Sequence, residues 1–295
     1  MAGVGRGRTP AVRSIEGRVV LVTGATAGIG RRTAERLADA GATVVGCARD
    51  ELRLQEVRTR RRDLDLRHCD VTDRDQRAAL VTGVLADHGR IDVLVNNAAL
   101  GWEGLVEDMS ADDVDRLYAT NVVAAVDLTR RVLPGMLARR DGDVVMTSSG
   151  AAFVSVPPLT VYCSTKYAID GFVEGLRREL WTRGMRVHSV NPGPVRTEWL
   201  ARSAGYEPTE ADGRHRLSRG VPPEWVAAAV HRSLTRPWSR TVSVPRVIGL
   251  GRLLGVQPLR TAVDVTTGMS AGRLARLGQR VAERRAASTG APGHS

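Results

Sequence analysis

The sequence predicts a doubly wound α/β fold: a parallel sheet between two helical layers, in one three-layer domain. Two observations predict it. Short apolar runs rich in β-branched residues alternate with longer amphipathic runs along most of the 295-residue chain. A glycine-rich turn, Thr23-Gly24-Ala25-Thr26-Ala27-Gly28-Ile29-Gly30, separates the first apolar run from the first helical one. Apolar strands separated by helices imply a sheet covered on both faces and joined by right-handed crossovers. Such folds bind ligands at the carboxyl ends of their strands, so the residues just after each strand are the ones to inspect.

Taken in order, the apolar runs place strands at 19–22, 43–47, 66–69, 93–95, 144–146, 186–190 and 241–244. Helical spacing fills the gaps, with clear patterns at 31–40, 112–137 and, after Pro222-Pro223, 224–234. The dinucleotide-binding and catalytic domain is expected over 17–246. Residues 1–16 and 286–295, rich in Gly, Pro, Ser, Ala and Arg, are expected as disordered tails. The polar segment 198–220 is too long for a simple connector and is expected as a substrate lid. Beyond the last strand, 247–285 mixes apolar pairs with arginines and is expected as a helical extension. It could close the pocket, cover a neighbouring subunit or lie on a membrane; Gly251, Gly255, Pro258 and Gly268 interrupt a long amphipathic helix and favour packing on the body or a partner.

Composition narrows the function classes. Apolar residues make up 42% and charged residues 25%, ordinary for a globular protein. The net charge of +11 could suggest nucleic acid, but the arginines scatter in short clusters without a zinc pattern or interleaved aromatics, so nucleic-acid binding is not expected. Cys47, Cys69 and Cys163 have no metal or disulfide spacing. Cys47 and Cys69 read as buried thiols and Cys163 as one that reagents can reach. No run reaches the length of a transmembrane helix and the N-terminus lacks an apolar targeting core, so a cytoplasmic protein is expected.

The chemistry concentrates in few residues. Lys166 is the one lysine among 43 basic residues and follows Tyr162 by four positions, on one face of a helix. An ammonium can approach a phenol as a compact point charge where a planar guanidinium cannot, and a cation beside a phenol favours the phenolate. The pair is a candidate general acid/base. After the first strand, Gly24, Gly28 and Gly30 permit close approach of a phosphate, and Thr26 and Ile29 belong to the same turn at a helix N-terminus, which attracts anions. At the end of the second strand, where an acid would meet the ribose of NAD(H), Ala48 and Arg49 stand instead. NADP(H) is therefore preferred over NAD(H), with Asp50 the counter-argument should the register shift by one.

The later strands end in Asp70-Val71, Asn96-Asn97-Ala98-Ala99, Ser148-Ser149 and Asn191-Pro192-Gly193-Pro194-Val195-Arg196-Thr197. Together with the glycine turn, Tyr162 and Lys166, and in this order, the set resembles the short-chain dehydrogenase/reductase superfamily from about residue 17 to 244, which implies a Rossmann-type fold. The resemblance implies that Asp70 and Val71 contact adenine, and that Asn97 and Ala98 lie along the cofactor. It also implies that Pro192, Gly193 and Val195 flank the nicotinamide and Thr197 binds its carboxamide. Ala99 departs from the usual glycine. Ser149, 13 residues before Tyr162, would orient the substrate carbonyl, and Asn121 would hold a water linking Lys166 to solvent. A homodimer or homotetramer through the helices bearing Asn121 and Tyr162 is implied too.

These residues predict hydride transfer between a nicotinamide and the carbonyl or secondary alcohol of a small molecule. Leu100, Trp102, Phe153, Val154 and Trp199 are candidate pocket residues and suggest an apolar substrate. The C-terminus lacks the glycine-rich ending of 3-oxoacyl carrier-protein reductases, so a 3-oxoacyl-thioester reductase ranks second. A dinucleotide sensor or scaffold without turnover would show erosion at Ser149, Tyr162 or Lys166, and all three are present.

Overall fold

A computed structural model describes residues 13–199 and 220–254. Seven strands form one wholly parallel sheet, β1 (Val19–Thr23), β2 (Thr43–Ala48), β3 (Asp65–His68), β4 (Val93–Asn96), β5 (Gly142–Thr147), β6 (Met185–Pro192) and β7 (Thr241–Val244), in the order β3-β2-β1-β4-β5-β6-β7. The order reverses between β1 and β4, and the crevice that opens there at the carboxyl edge is where such sheets take ligands. The expected strands all form, with ends moved by a residue or two; β3 starts at Asp65, which leaves Cys69 just past it.

Helices α1 (Gly28–Asp39), α2 (Glu51–Arg60), α3 (Arg74–His88), α4 (Ala111–Tyr118), α5 (Ala124–Arg139), α6 (Thr160–Leu180) and α7 (Pro223–Leu234) cover the sheet. The strands are buried through their middles because both faces are covered. One core layer joins Leu21, Leu94, Val144 and Val187 to Leu128, Met136 and Val173. The other joins Val20, Val22, Val44 and Val95 to Leu37, Leu54, Val226 and Val230.

Three expectations change, and the start of the extension lies as expected. The tail expected over 1–16 is shorter, because Ile15 is buried in the second core layer and Arg13 donates its backbone N–H to Thr235 O at 3.0 Å and pairs with Asp141 at 2.6 Å. The single helix expected over 112–137 is two helices joined by a π-helical turn, Ala119–Val123, that carries Asn121. Cys163 is fully buried within the first turn of α6, not open to reagents; Cys47 and Cys69 are buried as expected. The extension begins by packing on the body: the 3₁₀ turn Arg246–Leu250 and the short turn Gly251–Leu254 lie against the ends of β5 and β6 and against α6. Most of the lid expected at 198–220, and 255–295, fall outside the described residues. Among the described residues no helix is long and apolar enough to cross a membrane.

Candidate active site

The glycine turn is built for close backbone approach. Gly24 and Gly28 have φ of +68° and +49°, in the left-handed region that favours glycine. A Cβ on Gly30 would lie 2.1 Å from Gly24 O and 2.4 Å from Asn97 Nδ2, so no larger residue fits between turn and β4 loop. Ala27, at the N-cap of α1, offers no side-chain cap, and the first turn carries no acid. Unspent amides and the positive end of the helix dipole therefore lie at the edge of the sheet, where they could hold an anion such as a pyrophosphate.

The Asn96-Asn97-Ala98 segment braces this turn. Asn97 Nδ2 donates to Thr23 O at 3.0 Å, and the backbone N–H groups of Asn97 and Ala98 donate to Thr23 Oγ1 at 2.9 and 3.0 Å. Thr23 was not singled out from sequence. A threonine closing a strand just before a glycine turn is the available signal, and its partners become visible only once β1 and β4 are neighbours.

Each second-strand candidate has a defined place. Ala48 closes β2 and Arg49 is exposed, with no ion pair to its guanidinium among the described residues. Asp50 caps α2, its Oδ1 accepting from Arg53 N at 3.1 Å and its Oδ2 pairing with Arg53 Nε at 3.1 Å. The carboxylate thus bonds both the backbone and the side chain of Arg53 at the start of α2. Asp70 Oδ1 accepts from Thr72 N and Thr72 Oγ1, both at 2.8 Å, and Val71 is buried with its carbonyl held by Arg77 Nη1 at 2.6 Å.

At the next strand ends the reacting groups meet. Ser149 follows β5 in extended conformation, accepts from Ala151 N at 3.1 Å and lies close enough to the Tyr162 hydroxyl to act on its titration. Tyr162 and Lys166 lie on α6, both buried, with Lys166 Nζ 5.6 Å from the centre of the tyrosine ring and donating to Thr147 O at 3.2 Å. Burial raises the Tyr162 phenol far above its ordinary value, opposed by Ser149, and lowers Lys166 to about 8. The net shift of the phenol is upward because desolvation dominates it, and the Lys166 ammonium stands over the ring while bonding a carbonyl.

Asn121 lies at the π turn because its side chain bonds outward. Its Oδ1 accepts from Leu100 N at 2.8 Å, and its Nδ2 donates to Leu100 O at 3.0 Å and Thr165 Oγ1 at 3.1 Å. Thr165 in turn donates to Tyr162 O at 2.7 Å, so the loop after β4, the π turn and the tyrosine form one connected unit. Thr165 was also not singled out; it stands between Tyr162 and Lys166 in sequence and reads as an ordinary helix residue.

The loop after β6 completes the edge. Gly193 N donates to Val244 O at 2.9 Å, Val195 bridges to Val221, and Thr197 touches the glycine turn, since a Cβ on Gly28 would lie 3.1 Å from Thr197 Cγ2. Thr26 is buried in the turn and Ile29 packs on the second core layer. Of the candidate pocket residues, Trp102 is buried with Leu117 and Tyr162, with Leu100 and Trp199 partly buried beside them. The Trp199 ring lies 5.0 Å from that of Tyr162, centre to centre, tilted by 56°. Phe153 is covered: Arg252 stacks on it at 4.7 Å, and it contributes packing under the C-terminal segment, not an open wall. A groove of about 440 Å³ between α1 and α7, lined by Arg32, Glu35, Arg36 and His231 among others, shares no residue with this edge.

A phosphate cradle at the switch point of a parallel sheet, with a serine, a tyrosine and a lysine at the neighbouring strand ends, defines the class of nicotinamide-dinucleotide oxidoreductases. Residues 18–206 match the family model for short chain dehydrogenase, and the chain belongs to that family. It is 36% identical over 206 residues to the human dehydrogenase/reductase SDR family member 7, a match covering 67% of this chain and 61% of that one. It is 33% identical over 220 residues to the 3-oxoacyl-[acyl-carrier-protein] reductase FabG of Thermotoga maritima, covering 73% and 89%. A metagenomic short-chain oxidoreductase solved in complex with NADP superposes with a TM-score of 0.66 at 32% identity, covering 78% of this chain and 97% of that one.

Proposed function

We propose that the chain is an NADP(H)-dependent oxidoreductase that transfers a hydride between the nicotinamide and the carbonyl or secondary alcohol of an apolar small molecule. The convergence of Ser149, Tyr162 and Lys166 at one strand edge, beside the uncapped N-terminus of α1, carries this reading. When bound there, the nicotinamide supplies or accepts the hydride. The turn of Gly24, Thr26, Gly28, Ile29 and Gly30 cradles the pyrophosphate, while Asp70, Val71, Asn97 and Ala98 line the path from adenine to nicotinamide. Pro192, Gly193, Val195 and Thr197 flank its carboxamide.

Ser149 orients the carbonyl and Tyr162 moves the proton. Burial keeps the phenol protonated through neutral pH, so in reduction it stands ready as the acid. Lys166 holds the nicotinamide ribose, and Asn121 fixes the segments on which the proton relay depends. Trp102 and Trp199 beside Tyr162 favour an apolar substrate. The exposed Arg49 guanidinium after Ala48, without an ion pair among the described residues, suits a 2′-phosphate, with Asp50 bonded at its helix cap.

Tyr162→Phe is expected to lower kcat for ketone reduction by at least about 10²-fold while NADPH still binds, the range for loss of a general acid; near-normal turnover by that variant would sink the assignment. Arg49→Ala is expected to weaken NADPH binding by about tenfold or more and leave NADH unchanged, since a charge-assisted bond to a phosphate contributes roughly 1.5–3 kcal/mol. Fluorescence titration with both cofactors reads this directly, and an equal effect on both would mean that Arg49 does not meet the 2′-phosphate. Assembly as a homodimer or homotetramer through α6 and the α4–α5 run that bears Asn121 belongs to the same reading, and light scattering on the purified chain measures it.

A further inference from the structure

We infer that Ile248 is a specificity-determining residue of the active site, carried there by the segment after the last strand and held by Arg252. The inference rests on the reductase reading above. After β7 the chain turns at Pro245 into the 3₁₀ turn Arg246–Leu250, and Ile248 inserts between the two loops that frame the reacting groups. A Cβ on Gly150, the residue after Ser149, would lie 2.6 Å from Ile248 Cγ2. One on Gly193, the residue after Pro192, would lie 3.0 Å from Ile248 Cδ1. The same branched side chain thus touches the loop that holds the carbonyl and the loop that flanks the nicotinamide, and both loops have glycine where it lies.

The segment is clamped beyond this point. Arg252 Nη2 pairs with Asp170 Oδ2 of α6 at 3.0 Å and its guanidinium stacks on Phe153, three residues past Gly150. Gly251 lies against Phe153 as well, where a Cβ would meet Phe153 Cβ at 3.4 Å. The clamp ties the segment to the helix that bears Tyr162 and Lys166. Val247, Leu250 and Leu253 point outward, each about 60% exposed, so the side of the turn carrying Ile248 is its packed side. A β-branched residue with restricted rotamers, held at both ends, limits the size of the group a ketone can carry beside its carbonyl.

Acetophenone, propiophenone and isobutyrophenone grow by one methyl at a time at that position and serve as probes with NADPH. Ile248→Ala is expected to raise the kcat/KM ratio of isobutyrophenone to acetophenone by about tenfold, and Ile248→Phe to lower it, as one or two methyl groups permit. Arg252→Ala, which frees the segment without touching the site, should move the ratio in the direction of Ile248→Ala. Titration with NADPH shows that each variant is folded. Ratios within about twofold of the unmodified chain in both Ile248 variants, with NADPH bound normally, would overturn the inference and leave the reductase reading standing. Absence of turnover of all three ketones by the unmodified chain would remove the reductase reading and this inference together.

Discussion

Lys166 carries opposing demands. Its ammonium is almost wholly buried and has one carbonyl as its hydrogen-bond partner, so burial lowers its pKa to about 8. The folded state therefore binds fewer protons than the unfolded chain between about pH 8 and 10.5, and stability rises with pH across that window. Below it, the buried charge costs stability. Lys166→Met is expected to stabilise the cofactor-free protein at pH 7, by on the order of 3 kcal/mol from the shift, with the gain shrinking toward pH 10. Urea unfolding at the two pH values measures it, and a gain that grew with pH would contradict the assigned direction. With the ribose-holding role proposed for Lys166, the same shift predicts that kcat/KM for NADPH falls above about pH 8, where the free enzyme loses that cation. The sequence singled Lys166 out because every other basic residue is an arginine, whereas its carbonyl partner at Thr147 depends on the packing of α6 against β5.

Among the elements, the π turn separates what periodicity can and cannot say. Apolar spacing over 112–137 is continuous, and it correctly marks helix on both sides of Asn121. It does not show that the asparagine satisfies the backbone of Leu100 and the hydroxyl of Thr165, which draws an extra residue into the turn. Asn121→Leu would leave Leu100 N–H and C=O unpaired in a largely buried setting and is expected to cost about 2–4 kcal/mol from two unmet groups. Denaturant midpoints measure this, and an unchanged midpoint would mean that the turn is held by other contacts. The glycine turn was legible for the opposite reason: its function is local, written in three glycines between a strand and a helix. The start of the C-terminal segment was legible only as apolar residues with arginines, because Ile248 meets Gly150 and Gly193 from about fifty to a hundred positions away in the chain.

The whole molecule divides its polar groups between the two edges of the sheet. At the carboxyl edge lie the candidate catalytic groups, and at the amino edge lies a buried ionic network. Asp143, fully buried at the start of β5, accepts from Arg18 Nη1 at 2.6 Å, pairs with Arg186 Nε at 2.7 Å and lies 3.0 Å from His188 Nε2. It ties the starts of β1, β5 and β6 together. Asp143→Ala would remove the buried carboxylate that Arg18 and Arg186 share, leaving them the half-exposed Asp141, and is expected to cost up to about 3–5 kcal/mol, with NADPH affinity of the folded protein unchanged because the candidate site is at the opposite edge. Urea unfolding and cofactor titration together separate the two effects; a loss of affinity at unchanged stability would count against this division. None of the network was read from sequence, because its arginines are indistinguishable there from the forty or so others.

By itself the sequence determined the doubly wound class, the order of the strands along the chain, the glycine turn, the Ser149–Tyr162–Lys166 spacing and the likeness to its family. These follow from periodicity and from motifs whose chemistry lies within a few residues. Only the tertiary structure decided which strands are neighbours, that Asp50 is a helix cap while Arg49 is exposed, that Cys163 and Phe153 are covered, and that the chain just beyond β7 returns to the candidate site. Those outcomes depend on contacts between residues far apart in sequence, and local spacing carries no record of them.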